Sequence, residues 1–150
     1  MLTADVLQKV AAPLKPNWAD VTIATEPAGA ALLSGKEWKP HKIQGWTPDF
    51  LPDVLSRTVA HDIVPVDDVV ARDTARRLAA EEGIFVGISS GATLATALQI
   101  AESAAKGSVL LAMLPDTGER YLSTFLLEGV NEGSDDEWLA SLGAPATAVA

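Results

Sequence analysis

Gly87, Ile88, Ser89, Ser90 and Gly91 spell G-x-S-x-G within the run FVGISSGATLA. In α/β hydrolases that spacing presents a nucleophilic serine on a sharp strand-to-helix turn. Such a serine needs a histidine base, and the order along the chain is serine, acid, histidine, because the histidine sits on a late loop. Both histidines of this chain, His41 and His61, precede Ser89. A serine hydrolase acting through Ser89 is therefore the least favoured reading. Two others use the same residues. Serines and glycines can cap and closely pack a helix with no further role. A hydroxyl at a helix N-terminus, flanked by residues without side chains, can instead receive a flat ring or an anion at close range.

The elements that must position this turn follow an α/β order. Leu2, Val6, Val10 and Leu14 recur every four residues, which predicts an amphipathic helix ended by Pro13 and Pro16. The β-branched run up to Thr25 predicts a buried strand that breaks at Pro27. Residues 28–57 carry Pro40, Pro48 and Pro52 with Gly29, Gly35 and Gly45, and read as a long irregular excursion of the functional kind. HDIVPV predicts a short strand, and Asp67 caps a helix that Gly83 stops. After the short apolar approach GIFVG, a second helix starts at the serine pair, which caps it, and ends at Gly107. SVLLAMLP, residues 108–115, is a continuous apolar run of the type buried on both faces of a parallel sheet. A turn and a short helix follow. From Glu128 onward the chain is acidic and then alanine-rich, a surface tail in which Trp138 and Leu139 could pin one turn.

Bulk properties narrow the function classes. With 150 residues, 48% of them hydrophobic, the chain can bury the core of one domain. A net charge of −9 repels phosphate backbones and anionic lipid surfaces, so no nucleic-acid or membrane role is expected. Val109 to Leu114 is too short to cross a bilayer, and MLTADVLQKV lacks a basic segment followed by an apolar one, so a soluble, cytoplasmic protein is expected. The absence of cysteine removes disulfides, thiolate nucleophiles and cysteine metal ligands, and no metal site is expected.

Four motifs in order, EPAGAALLSG, PHKIQG, EEGIFVGISSGA and LPDTGERYLST, give the chain a specific resemblance. From about Leu2 to Thr124 it resembles the cysteine synthases, the O-acetylserine sulfhydrylases of the fold-type II pyridoxal phosphate enzymes. The resemblance implies a three-layer α/β fold, an open and mostly parallel sheet with flanking helices, forming most of the larger domain. It implies pyridoxal 5'-phosphate as cofactor and a β-replacement in which O-acetylserine loses acetate and sulfide adds to give cysteine. It further implies a homodimer of the complete enzyme and serine acetyltransferase as a protein partner.

Roles carry over where the motifs match. Ser89 resembles the residue that hydrogen-bonds the pyridine nitrogen, and a neutral hydroxyl at a helix start keeps that nitrogen from holding a proton as a carboxylate would. Gly87, Ser90, Asp116 and Thr117 complete the implied cofactor-binding set, with a structural role equally open for Glu119, Arg120 and Tyr121. Gln44 and Gly45 lie on the substrate side, in a segment that moves when the site closes. His41, which has the chemistry of a general base, belongs to PHKIQG and reads as a loop histidine bonded to backbone. Lys42 matches a family lysine that does not form the Schiff base.

The resemblance also has gaps. The segment with the Schiff-base lysine, the loop that holds the substrate carboxylate and the glycine loop that cradles the cofactor phosphate all lie upstream in the family and are missing from these 150 residues. No catalytic residue is therefore expected in the chain. It reads as the C-terminal portion of such an enzyme, residues 1–127, followed by a tail, 128–150. The isolated portion is expected to be inactive, with an open sheet edge and apolar area facing water. The alternative is a noncatalytic module that pairs with a complete subunit or with serine acetyltransferase. GWTPDFLP also puts Trp46, Thr47 and Pro48 where the family commonly has small flexible residues. That substitution suggests a stiffer closing segment and leaves room for another nucleophile or a larger acceptor.

Overall fold

A computed structural model describes residues 21–53, 55–56, 58, 60–130 and 133–142. The predicted helix over residues 2–14 lies outside them, as does the alanine-rich end of the tail. Two strands, β1 (Ile23–Pro27) and β2 (Asp62–Val66), pair in parallel, with Ile23 opposite Asp62 and Pro27 opposite Val66. A parallel pair needs a long crossover. Here the crossover is the predicted excursion, which opens with a 3-10 turn at Ala28–Ala30 and continues without strand or regular helix among its described residues.

Glu26 organises the start of that excursion. It is 1% exposed, and a buried carboxylate must find donors. Its oxygens accept from the backbone N–H of Leu33 at 2.9 Å and of Ser34 at 3.2 Å, and from the Ser34 hydroxyl. The end of β1 is thereby fastened to the turn seven residues later.

Helix α1 (Asp68–Glu82) begins and ends where its caps dictate. Asp67 accepts from the Val69 N–H at 2.8 Å, and Gly83 closes the helix at φ +70° with its N–H directed to Leu78 and Ala79 carbonyls. Helix α2 (Ile88–Ala101) departs from its predicted ends. Its N-cap is Gly87, with no side-chain cap, and Ser89 and Ser90 lie inside the first turn. It stops at Ala101 rather than at Gly107, where Ser103 bonds back to the Ile100 carbonyl and competes with the helical ladder.

The two helices touch through small residues. Ala71 and Ala75 of α1 and Ala92 of α2 are buried, and a Cβ at Gly91 would run into the Ala71 carbonyl and lie 2.8 Å from the Ala75 Cβ. A hydrogen bond of 3.1 Å between the hydroxyls of Thr25 and Thr96 ties β1 to α2. Ile43, Val66, Val86, Ile88 and Leu126 fill the rest of one core.

The run 108–115 forms no strand, which corrects the expectation from its composition. Val109 is 78% exposed and Leu111 75%. A strand exists through ladder hydrogen bonds to a neighbour. Among the described residues the sheet consists of β1 and β2 alone, and neither pairs with this run.

Residues 122–130 are strapped onto α1 by side chains. Arg76 donates from Nε to the Leu126 carbonyl at 2.6 Å and from its terminal nitrogen to the Glu128 carbonyl at 2.5 Å. The Phe125 ring meets both Lys42 Nζ, 4.1 Å from its centroid, and the Arg72 guanidinium, 4.7 Å away. Beyond it α3 (Asp135–Ser141) is held by a capping box of Ser134 and Glu137 and buries no residue. Of the two residues that could pin one turn there, Trp138 is 62% exposed and Leu139 is half-buried. Among the described residues no helix is long and apolar enough to cross a membrane.

Replacing Gly91 with alanine drives a methyl group into backbone, which cannot rotate aside. Urea unfolding of Gly91→Ala is expected to show a loss of about 3 kcal/mol, the upper part of the usual overpacking range.

Candidate functional site

One antiparallel bridge with two backbone hydrogen bonds sets the first wall. The Gly118 N–H donates to the Phe85 carbonyl and the Gly87 N–H to the Asp116 carbonyl, both at 3.2 Å, around an antiparallel bridge between Val86 and Thr117. The third and fourth motifs thus lie against each other at the start of α2. Glycine is required on both sides. A Cβ at Gly87 would overlap Asp116 Oδ1 and approach Tyr121 Cε2 to 2.7 Å, and one at Gly118 would meet the Phe85 ring at 2.5 Å.

Ser90 is fully buried, with its hydroxyl 3.5 Å from the Asp116 carbonyl, while Ser89 is 4% exposed and its hydroxyl bonds no described residue. The single Thr93 hydroxyl lies 2.6 Å from the Met113 carbonyl, 2.9 Å from that of Ser90 and 3.4 Å from that of Ser89. Asp116 accepts the Tyr121 hydroxyl on Oδ2, and its Oδ1 is buried with no partner among the described residues. The hydrogen bond to that carboxylate, and then burial, raise the Tyr121 phenol above its usual pKa of 10.0. Thr117 is exposed, and its hydrogen bond holds the exposed Glu119 carboxyl below the usual range.

The second wall is the turn Ile43–Trp46. Ile43 is fully buried, the Trp46 N–H returns to its carbonyl at 3.3 Å, and Gly45 takes φ +80°, a conformation that asks for glycine. Gln44 and Gly45 are exposed at its tip. The Lys42 N–H donates to Asp68 Oδ2 at 2.7 Å, which fixes the turn at the N-terminal end of α1 and so at the carboxyl end of β2. Open α/β sheets bind ligands at that end. The two walls meet through the core, where Ile43 packs in one cluster with Val86 and Ile88, and no hydrogen bond joins Gln44 or Gly45 to Ser89.

Neither histidine serves Ser89. His41 Nε2 is 3.3 Å from the Thr47 carbonyl, as expected of a loop histidine bonded to backbone, and His61 Nδ1 accepts from the Thr22 N–H at 3.0 Å. Lys42 Nζ sits on the Phe125 face. Two residues that shape this region were missed by sequence reasoning. Glu26, which fixes the start of the excursion, is visible as a charge inside an apolar strand; Trp38, whose Nε1 donates to the Thr47 carbonyl at 3.1 Å beside the second wall, carries no sequence signal.

Residues 5–116 match the pyridoxal-phosphate dependent enzyme family, and the chain belongs to it. Over 120 residues it is 69% identical to the O-ureido-L-serine synthase of Streptomyces lavendulae, covering 80% of this chain and 37% of that protein. It is 46% identical over 114 residues to the probable cysteine synthase of Bacillus subtilis (strain 168), covering 75% and 37%. A crystal structure of O-ureido-L-serine synthase superposes with a TM-score of 0.77 at 60% identity, over 91% of this chain and 42% of the other. The cysteine synthase of Entamoeba histolytica gives 0.77 at 35% identity, over 93% and 42%. The chain therefore spans about two fifths of the length of these relatives.

Tyr121 is the sole tyrosine, so its ionisation can be read directly. The folded state holds the phenol proton more tightly than the unfolded state, so stability is present below pH 10.0 and falls as pH rises beyond it. Phenolate absorbance is expected to appear at higher pH in the folded chain than in urea. The alkaline loss of stability is expected to be weaker in Tyr121→Phe.

Proposed function

We propose that the complete protein is a pyridoxal phosphate enzyme that replaces the β-substituent of an O-activated L-serine, and that its incoming nucleophile is larger than sulfide. The observation that carries this reading is the identity of 69% to an O-ureido-L-serine synthase, against 46% to a probable cysteine synthase. O-Ureido-L-serine is a serine whose side-chain oxygen is bonded to a urea nitrogen. Replacement of acetate in O-acetyl-L-serine by the hydroxyl oxygen of N-hydroxyurea gives that product, with acetate and one proton released.

The first wall fits the cofactor ring. A buried hydroxyl without a described partner, on a helix start kept clear by Gly87, suits a pyridine nitrogen that accepts one hydrogen bond. On this reading Ser89 donates to that nitrogen, Gly87 and Ser90 shape the approach, and Asp116 and Thr117 back them. Bound pyridoxal phosphate supplies the electron sink that allows a leaving group to depart from the β-carbon. Gln44 and Gly45 line the substrate side and shield the reacting atoms from water. The enzyme would work in the cytoplasm as a homodimer on small molecules, with serine acetyltransferase as the partner implied by the resemblance. On this reading residues 1–127 carry the function and residues 128–150 take no part in it. Cysteine synthesis with sulfide is the second reading, favoured by the likeness to the cysteine synthases.

The test is a product assay on the full-length protein with pyridoxal phosphate and O-acetyl-L-serine, offered sulfide or N-hydroxyurea. O-Ureido-L-serine is expected to form, and Ser89→Ala to lower turnover by about tenfold, the equivalent of roughly 1.4 kcal/mol. Cysteine alone would move the assignment to cysteine synthase, and neither product would remove both readings.

A further inference from the structure

Thr47 is the one non-glycine residue with positive φ among the described residues, at +33°. It is β-branched, and Pro48 after it restricts its backbone further. Such a conformation persists only where the surroundings over-determine it. Here both lone pairs of its carbonyl are engaged, by Trp38 Nε1 at 3.1 Å and His41 Nε2 at 3.3 Å. A carbonyl only accepts, so His41 carries its proton on Nε2, and its Nδ1 is left buried with no partner among the described residues. The ring is committed to Thr47 at the expense of its other nitrogen.

The turn between these residues is anchored on both sides. Ile43 is fully buried, the Lys42 N–H is bound to Asp68, and Trp46 packs on the core. Gln44 and Gly45, between Ile43 and Trp46, are exposed, and a Cβ at Gly45 would meet nothing within 4 Å. Gly45 is there for its backbone angle and not for room. We infer that Trp38 and His41 are positioning residues: through the Thr47 carbonyl they hold the Gln44–Gly45 rim in one shape that favours a planar, amide-bearing nucleophile over sulfide. A fixed rim of backbone N–H and C=O groups can donate to and accept from a urea-like molecule without losing entropy on binding, and offers little to a small sulfide ion. This rests on the proposed β-replacement, with the rim on the nucleophile side.

The experiment uses the full-length protein with its cofactor. Trp38→Phe keeps a ring and removes the donor, His41→Phe removes the other donor, and His41→Gln restores one. Thr47→Gly keeps the carbonyl while relieving the backbone and is the control in which the clasp persists; Trp38→Phe serves should His41→Phe fail to fold. Hydrogen exchange is read at the Trp46 amide, which closes the turn. Exchange is expected to quicken about tenfold or more in Trp38→Phe and His41→Phe, to return towards the wild-type rate in His41→Gln and to stay near it in Thr47→Gly. KM for N-hydroxyurea is expected to rise about fivefold or more in Trp38→Phe and His41→Phe, with KM for sulfide and kcat within about twofold. Unchanged exchange in both of these variants overturns the clasp, and equal KM changes for the two nucleophiles overturn its part in selectivity. If wild-type protein turns over neither nucleophile, the reading of function and this selectivity both fail, and exchange alone decides whether the clasp exists.

Discussion

The contact of α1 and α2 at Gly91 is the constraint on which the rest depends. Because no side chain intervenes, the backbone of α2 lies on the Ala71 carbonyl, and the helix pair behaves as one block. That block fixes where α2 begins, and hence where Ser89 stands. The same economy of volume recurs at Gly87 against Asp116 and Tyr121, and at Gly118 against Phe85. Three absent side chains thus set the first wall. Its polar groups are arranged around them afterwards.

Charge works here mainly by being buried or by reaching backbone. Glu26 is enclosed and fully used, and Arg76 spends its fork on two carbonyls. The Arg77–Glu81 pair, 66% and 56% exposed, is a surface pair of the kind that contributes little. Among the described residues the loops are thus held by a few well-placed groups that reach backbone.

Much of this architecture was legible in the residues. Asp67 and Gly83 marked both ends of α1, β-branched residues and Pro27 marked β1, and four spaced motifs pointed to the family. What stayed hidden has physical reasons. Composition told that residues 108–115 are apolar, but a strand also needs a neighbour to pair with, and that is a tertiary fact. The serines looked like caps because cap preference is local, whereas Gly87 was selected by Asp116, nearly thirty residues away. The motifs located the Gln44–Gly45 turn without indicating that Trp38 and His41 converge on the carbonyl of Thr47. Side chains that meet through one backbone oxygen leave no periodic trace.

Phe125, in contact with both Lys42 and Arg72, has a further consequence. Lys42 belongs to the excursion, Arg72 to α1, and Phe125 to the segment gripped by Arg76, so one ring joins three pieces of chain distant in sequence. Among the described residues neither the excursion nor residues 122–130 has a ladder of its own to resist opening. They should come away from the helix pair together, as a single cooperative unit of low stability, in the way that partial unfolding proceeds by packed units and not residue by residue. Under gentle heat or a limiting protease the rim of the site would be lost while the helices that carry Ser89 still stand.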